Sequence, residues 1–346
     1  MFTKKMTALM VLVAMLVAGA AFAGDMDYTI YGKLHTSVNY LSDSDESQLG
    51  LSSNTSRFGI KGSKELNNDM NLIWQFENYL NMAQKGNQTL ATRNSFIGMH
   101  SEWGTALFGI HDTPFKTIGR KATFFYDTIG DFRNATMGWD RRLQDVALYI
   151  SPNFDGFGFM AAYQFDQGPL GAEDAETAMS AAAHYKQDAL YVGGAFETLS
   201  EGYDGGAYVE APTALRFVAK YDFGQFALAG LFQAISNAGG VEDVSASTMG
   251  IEALFKANDL YSVKGSFFMT DPNTDADDDE ASQVALGIDR DLGNNSMIYV
   301  QYATVMNGDG QMAGLGNGNG FGDGVDASAA GESPMGFSLG WVTKWK

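Results

Sequence analysis

The chain has 346 residues, 41 acidic against 22 basic side chains, a net charge of -19, 41 glycines and no cysteine. That acidic balance argues against a nucleic-acid partner, because a phosphate backbone is gripped by clustered Lys and Arg. The lack of cysteine excludes disulfides, thiolate metal sites and a cysteine nucleophile. Aromatic residues at 13% beside only 18% charged residues exclude a disordered chain.

Lys4 and Lys5 precede an uncharged, almost wholly apolar stretch from Met6 to Ala23 that closes on Ala21-Phe22-Ala23. A basic start, an apolar run and a small-x-small close predict a cleaved signal peptide over 1–23. As an anchor the run would sit at the lower limit of about 17 apolar residues, and Asp25 and Asp27 follow it at once. Loss of the two lysines would take the mature chain, 24–346, from -19 to -21.

From Tyr28 onward the apolar residues recur at every second position. Ile30, Leu34, Val38 and Tyr40 share one face and Tyr31, Lys33, His35, Ser37 and Asn39 the other. Alternation at 180° per residue marks a strand with one apolar and one polar face. Sixteen such segments are predicted. The first eight are 28–40, 53–62, 70–80, 90–100, 104–112, 144–151, 156–165 and 178–187. The second eight are 189–198, 213–222, 225–235, 247–257, 260–270, 281–290, 295–305 and 335–345. A helical period is suggested only near Thr113–Asp127. Connectors alternate long (41–52, 113–143, 199–212, 306–334) with short (187–188, 222–224, 258–259), and the long ones, with 271–280, are expected outside the cell.

A soluble β-sandwich would also alternate. Here, however, the polar face holds Lys33, Arg57, Glu77, Arg93, Arg216, Lys220, Glu252 and Lys264, which a packed interior could not take unpaired. Segments of about 9–11 residues suit a tilted strand crossing a bilayer. Closing the sheet removes edges that hydrocarbon cannot satisfy, and sixteen strands leave an aqueous channel. The expected fold is all-β: a 16-stranded antiparallel transmembrane barrel containing a pore.

Particular stretches resemble the general trimeric porins of Gram-negative outer membranes. Tyr31-Gly32-Lys33 is similar to the family's first strand, Ser56-Arg57-Phe58-Gly59-Ile60-Lys61-Gly62 to its second and Trp74-Gln75-Phe76-Glu77 to its third. Thr92-Arg93-Asn94-Ser95-Phe96-Ile97-Gly98 with Gly104-Thr105-Ala106-Leu107-Phe108-Gly109 resembles the next hairpin. Asp112-Thr113-Pro114-Phe115 resembles the start of the inward-folded third loop, and Tyr149 to Phe157 the turn that follows it. The resemblance runs from about Tyr28 to the end and is densest before Phe165. It implies a basic row of Lys33, Arg57 and Arg93 with Glu77 beside it, faced by Asp127 and Asp131 of the third loop. Such opposed charges set up a transverse field in a low-dielectric wall.

Two departures from the family stand out. Val146, Leu148 and Ile150 occupy a lumen face that is commonly polar or basic, and Trp345 is followed by Lys346 where a terminal aromatic is usual. His35, His100, His111 and His184 show no metal-ligand spacing. Gly314 to Gly320 reads as a flexible loop rather than a phosphate cradle, and Asp271 to Glu280 as a solvated acidic loop lacking the turn glycine of a calcium site. No catalytic residue, cofactor or metal is expected. The expected function is an outer-membrane channel for passive diffusion of ions and small hydrophilic solutes, cation-preferring because of its loop acids. A homotrimer is implied by the resemblance, in contact with lipid and with lipopolysaccharide that loop-bound divalent cations could bridge. The alternatives are a substrate-selective nutrient porin and a structural or adhesive surface barrel.

Overall fold

The computed structural model describes residues 27–66, 69–83, 93–167, 176–203, 207–272, 278–316 and 324–346; the predicted signal at 1–23 lies outside them. The strands of the first half are β1 (Asp27–Ser42), β2 (Ser47–Ser53), β3 (Arg57–Glu65), β4 (Asn71–Tyr79), β5 (Ser95–Ser101), β6 (Gly104–Asp112), β7 (Arg142–Ile150) and β8 (Phe157–Gln164). Those of the second are β9 (Ala178–Gln187), β10 (Leu190–Leu199), β11 (Thr213–Asp222), β12 (Phe226–Ser236), β13 (Ser245–Lys256), β14 (Tyr261–Asp271), β15 (Ala281–Gly293), β16 (Ser296–Asn307) and β17 (Met335–Trp345). All pairing is antiparallel, and β17 returns to β1 with Gly32 opposite Trp345 and Ser42 opposite Met335, so the sheet closes.

The sequence alternation is the division between outside and inside. On β1, Val38 and Tyr40 point outward while Lys33, His35, Ser37 and Asn39 are buried within. Phe76, Phe108, Ile251, Leu286, Leu339 and Trp341 are each more than half exposed on the outer face, the apolar band that lipid requires.

The stretch 41–52, expected as a long loop, is instead a tight turn leading into β2. The Asp43 carboxylate accepts from the backbone N–H of Asp45 (3.0 Å) and Glu46 (2.7 Å), an Asx turn. β2 and β3 both pair with β1: Thr36 lies opposite Ser53 and Lys33 opposite Arg57. Three steps along β1 therefore match four along its partner, which defines a bulge at Asn54–Ser56. The barrel has sixteen staves, the second of them broken into two strands.

Residues 113–141 fold inside. Thr113 caps a short helix, α1 (Pro114–Gly119), by accepting from the Lys116 N–H at 3.2 Å, and proline fills the first turn where no donor is needed. Phe115, Ile118, Phe132 and Trp139 of this loop pack on Ala182, Ala195, Ala214, Val218 and Leu231 of the barrel wall. Small side chains at those inward positions leave room for the loop. The inward Val146 and Leu148 join Leu107, Leu143 and Leu199 in a second apolar patch. Gly314-Leu315-Gly316 is not loose: Leu315 exchanges two backbone hydrogen bonds with Val325 and is buried against Leu41, Phe125 and Ile129. Residues 317–323 and 273–277 lie outside the described residues.

Candidate functional site

Lys33 is the seventh residue of the sixteen in β1, so it sits near mid-height inside the barrel. The bulge beside it turns Thr55 into the left-handed region (φ 55°) and brings its hydroxyl to Asp127 Oδ2 at 2.5 Å. Lys33 Nζ reaches the same oxygen at 2.6 Å, and Arg133 takes Asp127 Oδ1 at 2.9 Å. Burial alone would raise the Asp127 carboxyl, but Lys33, Arg133 and Arg120 together hold it well below the ordinary carboxylate range.

Asp131 does not face the basic row across a gap. Its Oδ1 accepts from the Arg133 backbone N–H (3.0 Å) and Nε (2.8 Å), and its Oδ2 from the Asp127 N–H (2.7 Å). It braces the loop from within. Glu77 on β4 joins the other two predicted cations, accepting from Arg93 Nε at 2.5 Å, with Arg57 Nε at 3.7 Å and the Tyr31 hydroxyl at 3.0 Å.

A second carboxylate cluster was not foreseen from sequence. Asp112, the last residue of β6, gathers Arg142 (2.8 Å), Arg120 (3.0 Å) and Lys116 (3.3 Å). Two tyrosine rings link the clusters. Tyr126 lies under Arg120 (4.2 Å), Lys33 (5.5 Å) and Arg133 (5.7 Å), and Tyr79 under Arg93 (4.4 Å) and Arg142 (5.8 Å). The only hint in the sequence was the density of arginines in 113–143.

This network sets seven cations (Lys33, Arg57, Arg93, Lys116, Arg120, Arg133, Arg142) against four carboxylates (Glu77, Asp112, Asp127, Asp131). The side chains most open to the lumen are guanidiniums, Arg57 at 19% and Arg120 at 14%, whereas Asp127 is 1% and Asp131 0% exposed. Arg57, Arg120 and Arg142 are the open groups of the network, Glu77 and Asp112 are slightly less so, and Lys33, Arg93, Lys116 and Arg133 are buried with the loop acids.

The far wall holds the loop. Arg216 on β11 pairs with both oxygens of Asp140 (2.9 and 3.0 Å) and stacks over Phe115 at 4.2 Å. A side chain at Gly119 would collide with that guanidinium. Glu252 accepts from the Thr123 hydroxyl (2.8 Å) and the Phe124 N–H (2.5 Å). Thr248 and Thr270 donate to the Ala135 carbonyl, Gln283 to those of Gly130 and Asp131, and Lys264 to that of Phe124. Among the described residues, no three His, Asp or Glu side chains are grouped to hold a metal ion.

A family model for the Gram-negative porin matches residues 8–310. Outer membrane porin protein 32 of Delftia acidovorans is 25% identical over 363 aligned positions, covering 96% of this chain and 97% of that protein. The major outer membrane protein P.IB of Neisseria sicca is 28% identical over 167 positions, 44% of this chain and 46%, under half, of its own length. Among solved structures, the anion-selective porin from Comamonas acidovorans superposes with a TM-score of 0.76 at 23% identity, over 93% of this chain and 100% of that one. The trimer form of OmpT from Vibrio cholerae superposes at 0.67 with 17% identity, over 93% and 100%.

Proposed function

Because the chain belongs to the Gram-negative porins of the outer membrane, we propose that it is a passive diffusion channel, not an enzyme, whose constriction favours anions among small hydrophilic solutes. One observation carries this reading: the groups most open at the constriction are Arg57 and Arg120, with Asp127 and Asp131 shielded behind. In a narrow, poorly screened passage the exposed sign counts most. The cation preference expected from the loop acids is the competing reading, and the similar Comamonas acidovorans porin, which is anion-selective, stands against it.

The lumen residues in their assigned roles are Lys33, Arg57 and Arg93 as the basic row, Glu77 and Asp127 as its counter-charges, and Asp131 as a brace. A homotrimer is part of the proposal. It draws on the trimer form of the similar Vibrio cholerae protein and on strands β3 to β8, which run only 7–9 residues and present an apolar outer face. Lipid and lipopolysaccharide would cover the taller remainder.

Reversal potential across a KCl gradient tests the reading. An anion preference is expected, and Arg57→Gln with Arg120→Gln should move it toward cations. A cation preference in the unmodified channel would return the decision to the loop acids.

A further inference from the structure

Acids and cations are stacked along this channel rather than mixed. The turn 43–46 and the connectors 165–177, 200–212, 237–244, 272–280 and 308–334 contain no Lys or Arg at all, yet every one carries Asp or Glu; the connector 80–94 at the same end is the exception, with Lys85 and Arg93 and no acid. They join the strand ends opposite the short turns, the end that faces outward in barrels of this kind. Below them, inside the barrel, lies the constriction with its excess of cations over carboxylates.

We propose that these two zones in series make the channel an ionic rectifier, conducting better when the outside is positive relative to the periplasm. The inference rests on the cation-lined constriction proposed above. A passage lined by one sign of charge enriches the opposite ion and excludes its own. With the outside positive, cations pass the acidic mouth and anions pass the constriction from below. Each then meets a zone of its own sign, so both accumulate between the zones and conductance rises. With the polarity reversed, both ions leave through the zone that favours them and are not replaced, so the region between is depleted.

Single-channel current–voltage curves in planar bilayers test this. The chain has no cysteine, so Ser44→Cys in the exposed outer turn marks orientation when a charged thiol reagent is added from one side. At about 0.05 M KCl the current should be roughly twofold larger with the labelled side positive. The ratio should fall to unity near 1 M, where the Debye length is ~3 Å. A positive reagent on the introduced thiol should lower the ratio and a negative one raise it, without altering the constriction. A linear or oppositely bent curve at low salt, with an anion-preferring reversal potential, would overturn the rectifier alone. The same curve with a cation-preferring reversal potential would overturn the constriction reading on which it rests.

Discussion

The two sides of the lumen meet the same loop with different chemistry. The wall from β1 to β7 offers charge: Lys33 to Asp127, and Arg57 and Arg93 to Glu77. The wall from β9 to β15 offers alanines, hydroxyls and amides, with Thr248, Thr270 and Gln283 donating to loop carbonyls. The difference follows from water. Where the passage is wet, a charged side chain keeps part of its hydration and acts on passing ions. Where the loop seals against the wall, a charge would lose its hydration and need complete pairing, so neutral donors serve better. The charged groups of the sealed side are paired accordingly: Arg216 to both oxygens of Asp140, Lys264 to Asp289 and the Phe124 carbonyl, and Glu252 to two loop donors.

The largest expected effect comes from breaking the sealed side. Arg216→Ala leaves the Asp140 carboxylate, which Arg216 holds below its usual range against burial, in a dry site without its partner. Loss of one member of a buried pair costs about 3–5 kcal/mol. Thermal unfolding should show that loss, and single channels should become noisier as the loop detaches. Restoration of most of the stability in the double variant with Asp140→Ala would confirm that the pair, not the packing of Arg216, is responsible.

A smaller effect separates the two loop acids on the wet side. Asp127→Asn removes a charge that Lys33 and Arg133 share and should increase anion preference. Asp131→Asn disturbs an internal brace and should lower stability while leaving reversal potential nearly unchanged. Equal shifts in selectivity from both would place Asp131 in the field after all.

The smallest change is expected from acid. Because its neighbours depress the Asp127 carboxyl, the folded state binds fewer protons there than the unfolded chain. The associated stability is present above the unfolded value, about 3.9 for Asp, and fades only as pH falls through the lower folded value. The share of loop stability that Asp127 supplies should therefore stay constant from neutral pH down to about 4. A transition in conductance between about pH 6 and about 4 that Asp127→Asn abolishes would show that Asp127 is less strongly held.

Strand assignments were legible because the division into wet and oily faces imposes a period of two; the segments 104–112, 178–187, 213–222 and 335–345 coincide with β6, β9, β11 and β17. Ser47–Ser53 escaped because its serines, glutamine and glycine give little contrast, although Leu49 and Leu51 do point outward. The same logic separates the site residues. Lys33, Arg57 and Glu77 lie on strands, where parity fixes the face. Arg93 lies just before β5; the alternation put it on the polar face, and the family resemblance set it in the basic row. Arg120, Tyr126 and Arg133 lie on a loop without a period, and that loop's course is set by contacts with walls up to 153 residues away, as for Gly130 and Gln283. Asp112 and Arg142 were visible as charges, but it is the pairing of β6 with β7 that sets them opposite each other, and the folded loop that adds Lys116 and Arg120.

The seam between β1 and β17 has a consequence in time. Its partners are separated by about 300 residues, as in Asn39 to Ser338 at 299, so the first strand waits for the last before the cylinder can shut. Until then it has an open edge, the kind of edge on which wrong chains pair. Trp345 lies over Gly32 so closely that any side chain there would collide with its ring. The seam therefore accepts the chain's final tryptophan only where the first strand leaves a space, and a bulkier residue at position 32 would leave the cylinder ajar at the moment of closure.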